Sequence, residues 1–254
     1  MTFNNTPASL VGKRKFGLIK YIMSLMNGAR IAVAAQALGI AEAAYNLAKE
    51  YAETRIQFDK PIIEITAVYK MLSDMRLKIE AGRLLLYETG KVVDQLKASS
   101  KNPNADRKEA KYLERLAGVL TPFSKYFNAE MANKTAYDGL QVMAGNGYMK
   151  DYDMERYYRD ARITNIYEGT SQLQVVASIG GILAGVLDKE FDKFKELSFN
   201  ADLQPLADST KTLIASFDKT VDTVRNQKDR EYTEFISDII VKIDLGIYIT
   251  TLVF

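Results

Sequence analysis

Residues 16–55 contain no proline, and within them Ala32, Ala35, Leu38, Ala41, Ala44, Tyr45 and Ala48 recur at helical spacing. Apolar residues three and four apart share one face of an α-helix, and small ones let a neighbouring helix come close. This stretch predicts one long packing helix.

The rest of the chain follows the same logic. With five prolines in 254 residues and long runs of Ala, Leu, Glu, Lys and Met, helix is favoured nearly throughout, and strand signals are scarce. Beyond Pro61 a second helix is expected over 65–96, with Val68, Met71, Leu72, Met75, Ile79 and Leu86 on its apolar face. The turn-rich run from Ser99 to Asn104 closes it. A third helix should cover 106–139 with a kink or break at Pro122, and a fourth should start near Thr170 and run toward Leu187. Pro205 sets off two further helices, carrying Leu206, Leu213, Phe217, Val221, Val224, Phe235, Ile239 and Ile243. The expected fold is all-α, a four-helix bundle with an additional C-terminal helical region.

Composition removes whole classes of chemistry. There is no cysteine and no histidine, which excludes Ser-His-Asp and Cys-His catalysis and most transition-metal sites. Proton transfer must then fall to carboxylates, Lys or Tyr, or to a bound cofactor that carries the difficult step. A net charge of +2, with no basic stripe between aromatics, argues against a nucleic-acid partner. The apolar end, residues 236–254, contains Asp238, Lys242 and Asp244, so a buried helix is expected there and no membrane span. No secretion signal opens the chain, and the location expected is cytoplasmic. It ends on Thr-Leu-Val-Phe without a stop signal, so the natural protein is expected to continue.

The least regular stretch, residues 141–170, holds the chemistry. Ala144-Gly145-Asn146-Gly147-Tyr148 is followed by Tyr157-Tyr158-Arg159-Asp160-Ala161-Arg162 and then by Ile166-Tyr167-Glu168-Gly169-Thr170-Ser171-Gln172. Glycines, aromatics and charges at this density cost helical stability, which points to a functional reason. Thr170 can cap the next helix, which leaves two roles open for Glu168: a charge favouring that helix start, or a carboxylate projecting into a cleft.

Together these blocks resemble the C-terminal signature of the acyl-CoA dehydrogenases. The resemblance rests on residues 141–148, on Arg159-Asp160-Ala161-Arg162-Ile163, and on Ile166-Tyr167-Glu168-Gly169-Thr170, at the family's spacing. Upstream, Asn27-Gly28-Ala29-Arg30 through Ala41, and Tyr51 through Pro61, resemble the family's first helix here and the turn after it. It extends over about residues 10–190.

The resemblance implies that Glu168 is the base that removes the α-proton of an acyl-CoA thioester while FAD accepts the β-hydride. It implies flavin contacts at Arg55, Gln57, Phe58, Gln141, Gly145, Thr170 and Gln172, with Gln141 and Gly145 reaching a neighbouring subunit's cofactor. Asn27, Arg30, Tyr167 and Gly169 become substrate-side positions; no metal is implied. An electron-transferring flavoprotein becomes the expected acceptor and a homodimer or homotetramer the expected assembly, with Leu25, Met26 and Ile40 as exposed apolar positions. Residues 1–18 then read as a remnant of a missing β-domain connection, 19–190 as the bundle and 191–254 as a helical extension. The extension and an apparent insertion at 97–107 resemble the long-form bacterial branch.

This chain departs from the family in two places. Ile65-Thr66 stands where many members carry His-Gln, which puts one flavin contact in doubt, and Ala144 replaces a common glycine, which matters if that position needs positive φ. Two other functions remain open: a non-catalytic helical oligomerisation module, and an acyl-CoA oxidase that passes electrons to oxygen.

Overall fold

A computed structural model of the chain describes residues 2–17 and 22–254. Residues 18–21, where the first helix was expected to be under way and where the 18/19 domain boundary falls, lie outside the described residues. Among the described residues there are eight α-helices and one two-stranded hairpin.

The first helix, α1 (Met23–Thr54), is long and apolar enough to cross a membrane, yet its alanine seam is a packing surface. The buried register is Ala34, Ala37, Ala41, Ala44, Ala48 and Ala52, all fully enclosed, whereas Ala32 and Ala35 face outward. The seam packs chiefly on α3 (Arg107–Tyr148), which also touches α2 (Thr66–Lys101), α4 (Met154–Thr164) and α5 (Ser171–Leu183). These form the expected bundle around α3.

Three expectations are corrected by packing. Pro122 does not break α3, because residues 119–126 are all buried and neighbours on every side hold the helix through the proline. The break comes at Ala144 instead, with φ 53° and ψ −134°. Apart from the break at Ala144, residues 141–148 and 154–164 are helical, so the irregular stretch shrinks to that break and two short connections. The second helix continues to Lys101, absorbing the first part of the expected insertion before an Asn102 turn, and Asp106 caps α3 through the Lys108 amide at 2.8 Å.

After α1 the chain makes a hairpin, β1 (Ile56–Gln57) against β2 (Lys60–Pro61), then a 3-10 turn, Ile62–Glu64. Both residues of its two-residue turn, Phe58 and Asp59, are left-handed, at φ 51° and 62°.

The C-terminal extension, α6 (Asp188–Glu196), α7 (Gln204–Gln227) and α8 (Arg230–Val253), packs onto the bundle. Pro205 lies in the first turn of α7, where its missing N–H costs nothing. One apolar cluster joins Leu85, Leu113 and Phe123 of the bundle to Phe191, Ile214, Phe217 and Leu245 of the extension. The expected boundary after residue 190 therefore cuts α6 beside buried Phe191. Phe194, Phe199 and Phe254 close this region as a ring triad at 4.9–5.3 Å. Phe217, Val221 and Val224 face the core as expected, but Leu206, Leu213, Phe235, Ile239 and Ile243 are exposed. The buried face of α8 is Ile240, Val241, Leu245, Ile247 and Tyr248.

Candidate active site

Glu168 lies in the six-residue connection between α4 and α5, and its backbone shape is costly. Its φ is 52° and that of Gly169 is 90°, two consecutive left-handed residues, of which only the glycine adopts that region freely. A left-handed non-glycine residue costs on the order of 1–3 kcal/mol and persists only when its surroundings over-determine it. Gly169 has a second constraint, since a Cβ there would sit 2.8 Å from the Gln174 amide nitrogen.

Buried side chains hold the turn from below. Lys125, fully enclosed in α3, donates from Nζ to the Gly169 carbonyl at 2.7 Å. Gln174 Nε2, equally buried in α5, donates to the same oxygen at 2.8 Å. Glu130 accepts from the Ser171 hydroxyl and, at 3.2 Å, from Asn165 Nδ2, tying both ends of the connection to α3. Thr170 caps α5 through the Leu173 amide, and Asn133 Nδ2 donates to the Ala161 carbonyl at 2.9 Å. The carboxylate of Glu168 is left exposed, and no described side chain hydrogen-bonds or ion-pairs with it.

Cations gather beneath it. Burial pushes the Lys125 ammonium down to about 8; Glu130 and Glu168 oppose the shift and Arg30 adds to it. Arg30 is 6% exposed, donates from Nη1 to Asn27 Oδ1 at 3.0 Å, and leaves Nε without a partner. Burial also lowers its pKa from the ordinary arginine value. Half-buried Tyr167 donates its hydroxyl to Gln36 of α1; burial first and then Glu168 raise its pKa. Arg30, with Asn27 bonded to it, thus acts on the Lys125 that holds Gly169, while Tyr167 joins the same connection to Gln36 in the N-terminal half of α1, and Thr170 and exposed Gln172 follow in sequence.

The remaining candidates lie elsewhere. Arg55, Gln57, Phe58, Ala144 and Gly145 line an open hollow of about 330 Å³ at the other end of α1. Phe58 is 83% exposed on its hairpin tip, and the Arg55 guanidinium has no ion-pair partner among the described residues. A Cβ on Gly145 would meet nothing within 4 Å, so the backbone there is open to close approach. Ile65 and Val68 make an apolar wall, which is what Ile65 offers in place of a histidine. Gln141 is not in this hollow; it lines a neighbouring one of about 470 Å³ with Tyr137, Tyr148, Tyr158 and Arg159. Arg30 and Arg55 are 25 residues apart along one helix, about 37 Å at 1.5 Å per residue.

Lys125, Glu130, Asn165 and Gln174 were missed from sequence. The signal was present for one of them: Lys125 is a lone cation among Phe123, Tyr126 and Phe127 in the most apolar part of α3. A long cation in such a run needs a buried acceptor.

A profile described as "Acyl-CoA dehydrogenase, C-terminal domain" matches residues 19–179, and the chain belongs to this family. A 3-(aryl)acrylate reductase of Clostridium sporogenes is 39% identical over 173 residues, covering 67% of this chain and 41% of that one. The structure of butyryl-CoA dehydrogenase from Megasphaera elsdenii is similar at 35% identity and TM-score 0.55, over 68% of this chain and 40% of that one. Caenorhabditis elegans ACDH-11, solved in complex with C11-CoA, is 20% identical with TM-score 0.77 over 91% of this chain and 39% of that one, a likeness of fold that takes in the extension. The chain spans about two-fifths of the length of these relatives.

Proposed function

We propose that this chain is the base-bearing helical part of a flavin-dependent acyl-CoA dehydrogenase, in which Glu168 removes the α-proton of an acyl-CoA thioester to give a trans-2-enoyl-CoA. One observation carries this: an unpaired carboxylate held in a strained left-handed turn by Lys125, Gln174 and Glu130. A carboxylate that merely favoured a helix start would need neither the strain nor three side-chain anchors, two of them fully buried.

An unactivated thioester α-proton is too weak an acid for a free carboxylate, so the base must be fixed against its target and shielded from water. The rigid turn does the first, and the parts of the protein that cover this face do the second. Arg30 and Asn27 lie on the substrate side, with Tyr167 anchored to Gln36 between them and the base.

The residues present fit FAD. Arg55 offers an unpaired guanidinium for a phosphate, Phe58 an exposed ring for stacking, Gln57 an amide and Gly145 an approachable backbone, while Thr170 and Gln172 stand beside the base. When bound, FAD supplies the acceptor for the β-hydride. Tyr167, next to the base, is tied to α1 at Gln36, 19 residues and about 28 Å along the helix from Arg55, and this separation favours a flavin contacted by Arg55, Gln57, Phe58 and Gly145 of one chain and by the Glu168 end of another. The assembly is therefore at least a dimer, and an electron-transferring flavoprotein is the acceptor that takes the electrons onward.

A second reading follows from the relative named as a reductase. By microscopic reversibility the same glutamate, protonated, delivers a proton to the α-carbon of an enoyl thioester. The test is anaerobic mixing of the assembled protein with saturated and with unsaturated acyl-CoA. Bleaching of the flavin band by the saturated thioester, with enoyl-CoA formed, supports dehydrogenation. A flavin that no acyl-CoA reduces, and that does not pass electrons to an enoyl-CoA, contradicts both directions.

A further inference from the structure

Far from Glu168, the extension closes a second hollow that the dehydrogenase reading does not use. It lies between the end of α5 and helices α6, α7 and α8 and encloses about 270 Å³. Asp188 and Asp192 of α6 face it from one side, Asp218 and Asp222 of α7 from another, and Asp244 of α8 forms part of its wall. Among the lining residues the cations that answer these five carboxylates are Lys195 and Arg225, and both are already engaged. Lys195 pairs with Asp192 at 3.1 Å and with Asp218 at 3.8 Å, and Arg225 pairs with Asp222 at 3.0 Å.

Asp244 has no such partner. It is 1% exposed, and its Oδ2 is buried with no hydrogen-bond donor in reach. A buried carboxylate oxygen without a donor is expensive, and it is relieved either by a proton or by a ligand that brings a donor. Burial, reinforced by Asp188 and Asp218, pushes its carboxyl up to about 8, and burial likewise raises that of Asp218.

The carboxylates do not converge on a point. Among the described residues no group of three acidic side chains is placed to hold a metal ion. They are spread over three helices, with Asp188 of α6 and Asp218 of α7 both near enough to Asp244 of α8 to act on its charge, an arrangement that suits a linear dication better than a point ion. Between them Ile182, Leu187, Phe191 and Phe217 supply apolar wall for a methylene chain.

We propose that this hollow is a binding site for a small linear alkyl diamine or polyamine, with one ammonium donating to Asp244 and another held between Asp188 and Asp218. The proposal is independent of the reaction at Glu168. It is tested by calorimetric titration of the full chain with 1,4-diaminobutane at constant ionic strength, with 1,4-butanediol as the neutral control. The expected result is saturable one-to-one binding of the diamine, no heat with the diol, and affinity weakened at least tenfold in both Asp244→Asn and Asp218→Asn. Asp218 is only half-buried, so its variant keeps the fold even if Asp244→Asn does not. Absence of saturable binding, unchanged affinity in Asp218→Asn, or equal displacement of the diamine by Mg2+ would overturn it.

Discussion

Lys125 and Gly169 are joined by a single hydrogen bond of 2.7 Å between a fully buried ammonium and the carbonyl next to the candidate base. The bond runs from the middle of the longest helix to a loop that is also held by Gln174 at the same carbonyl and by Glu130 at Ser171 and Asn165. It converts the rigidity of α3 into a fixed position for Glu168. Replacing Lys125 with Met keeps the stem and removes the donor. Because a buried charge is removed as well, global stability should change by no more than about 1–2 kcal/mol. A hydrogen bond to a charged group is worth about 1.5–3 kcal/mol, so amide exchange across residues 165–170 should quicken by roughly ten- to a hundredfold. Unchanged exchange there would mean that Gln174 alone holds the turn.

Ala144, in the wall of the Arg55 hollow, is another strained position. Its φ of 53° and ψ of −134° belong to a region that glycine enters freely, and the residue is exposed, so Ala144→Gly disturbs no packing. Relief of strain exceeds the extra chain entropy that glycine brings, for a net gain of about 1 kcal/mol, or about 2–4 °C in thermal midpoint for a chain of this size. A lower midpoint would show that Ala144 is not strained.

Asp244 makes stability depend on pH in a direction opposite to that of a salt-bridged aspartate. Its folded carboxyl titrates near 8, well above an unfolded aspartate at about 3.9. Between these values the folded chain binds more protons than the unfolded chain, so stability falls as pH rises from about 4 to about 8 and then levels. Asp188 on α6 and Asp218 on α7 repel the charged form, while Lys195 pairs with Asp192 and Asp218 and Arg225 with Asp222. Asp244→Asn should flatten this slope and raise the unfolding free energy from urea titration at pH 8 relative to wild type, by an amount on the order of 1–3 kcal/mol. An unchanged difference between pH 5 and pH 8 would contradict it.

The separation of the two clusters along α1 predicts complementation. Glu168→Gln and Arg55→Ala should each be inactive as pure assemblies. In a mixed dimer one site carries both defects and the other carries none, so co-assembly should restore up to half of the wild-type rate per hybrid. No recovery on mixing would show that Arg55 and Glu168 serve the same flavin from one chain.

The all-α bundle was legible in the sequence because Ala, Leu and Met at helical spacing leave little choice, and the extension because Pro205 and its apolar runs mark further helices. What was misjudged depends on three-dimensional context. The seam of α1 lies at Ala34, Ala37 and Ala41 and not at Ala32 and Ala35, because in an alanine-rich helix several registers look equally apolar. Pro122 was expected to kink or break a helix that burial on all sides carries through without a break. The Glu168 turn was visible as a motif, whereas the anchors beneath it are long-range: Lys125 is 44 residues from the carbonyl it holds, and Glu130 is 41 from Ser171. Single-sequence periodicity carries no information over such separations.

The account turns on Glu168 acting as the base, and the direct measurement is single-turnover flavin reduction in the assembled protein with Glu168→Gln. Glutamine keeps the size and the hydrogen-bonding shape but cannot take a proton, and a positioned general base contributes about 10²–10⁴-fold. The prediction is a fall of that order in the reduction rate, with flavin content, assembly and thioester binding unchanged. Reduction within about tenfold of wild type would show that the proton leaves by another route, and that the strained turn at 168 serves some other purpose.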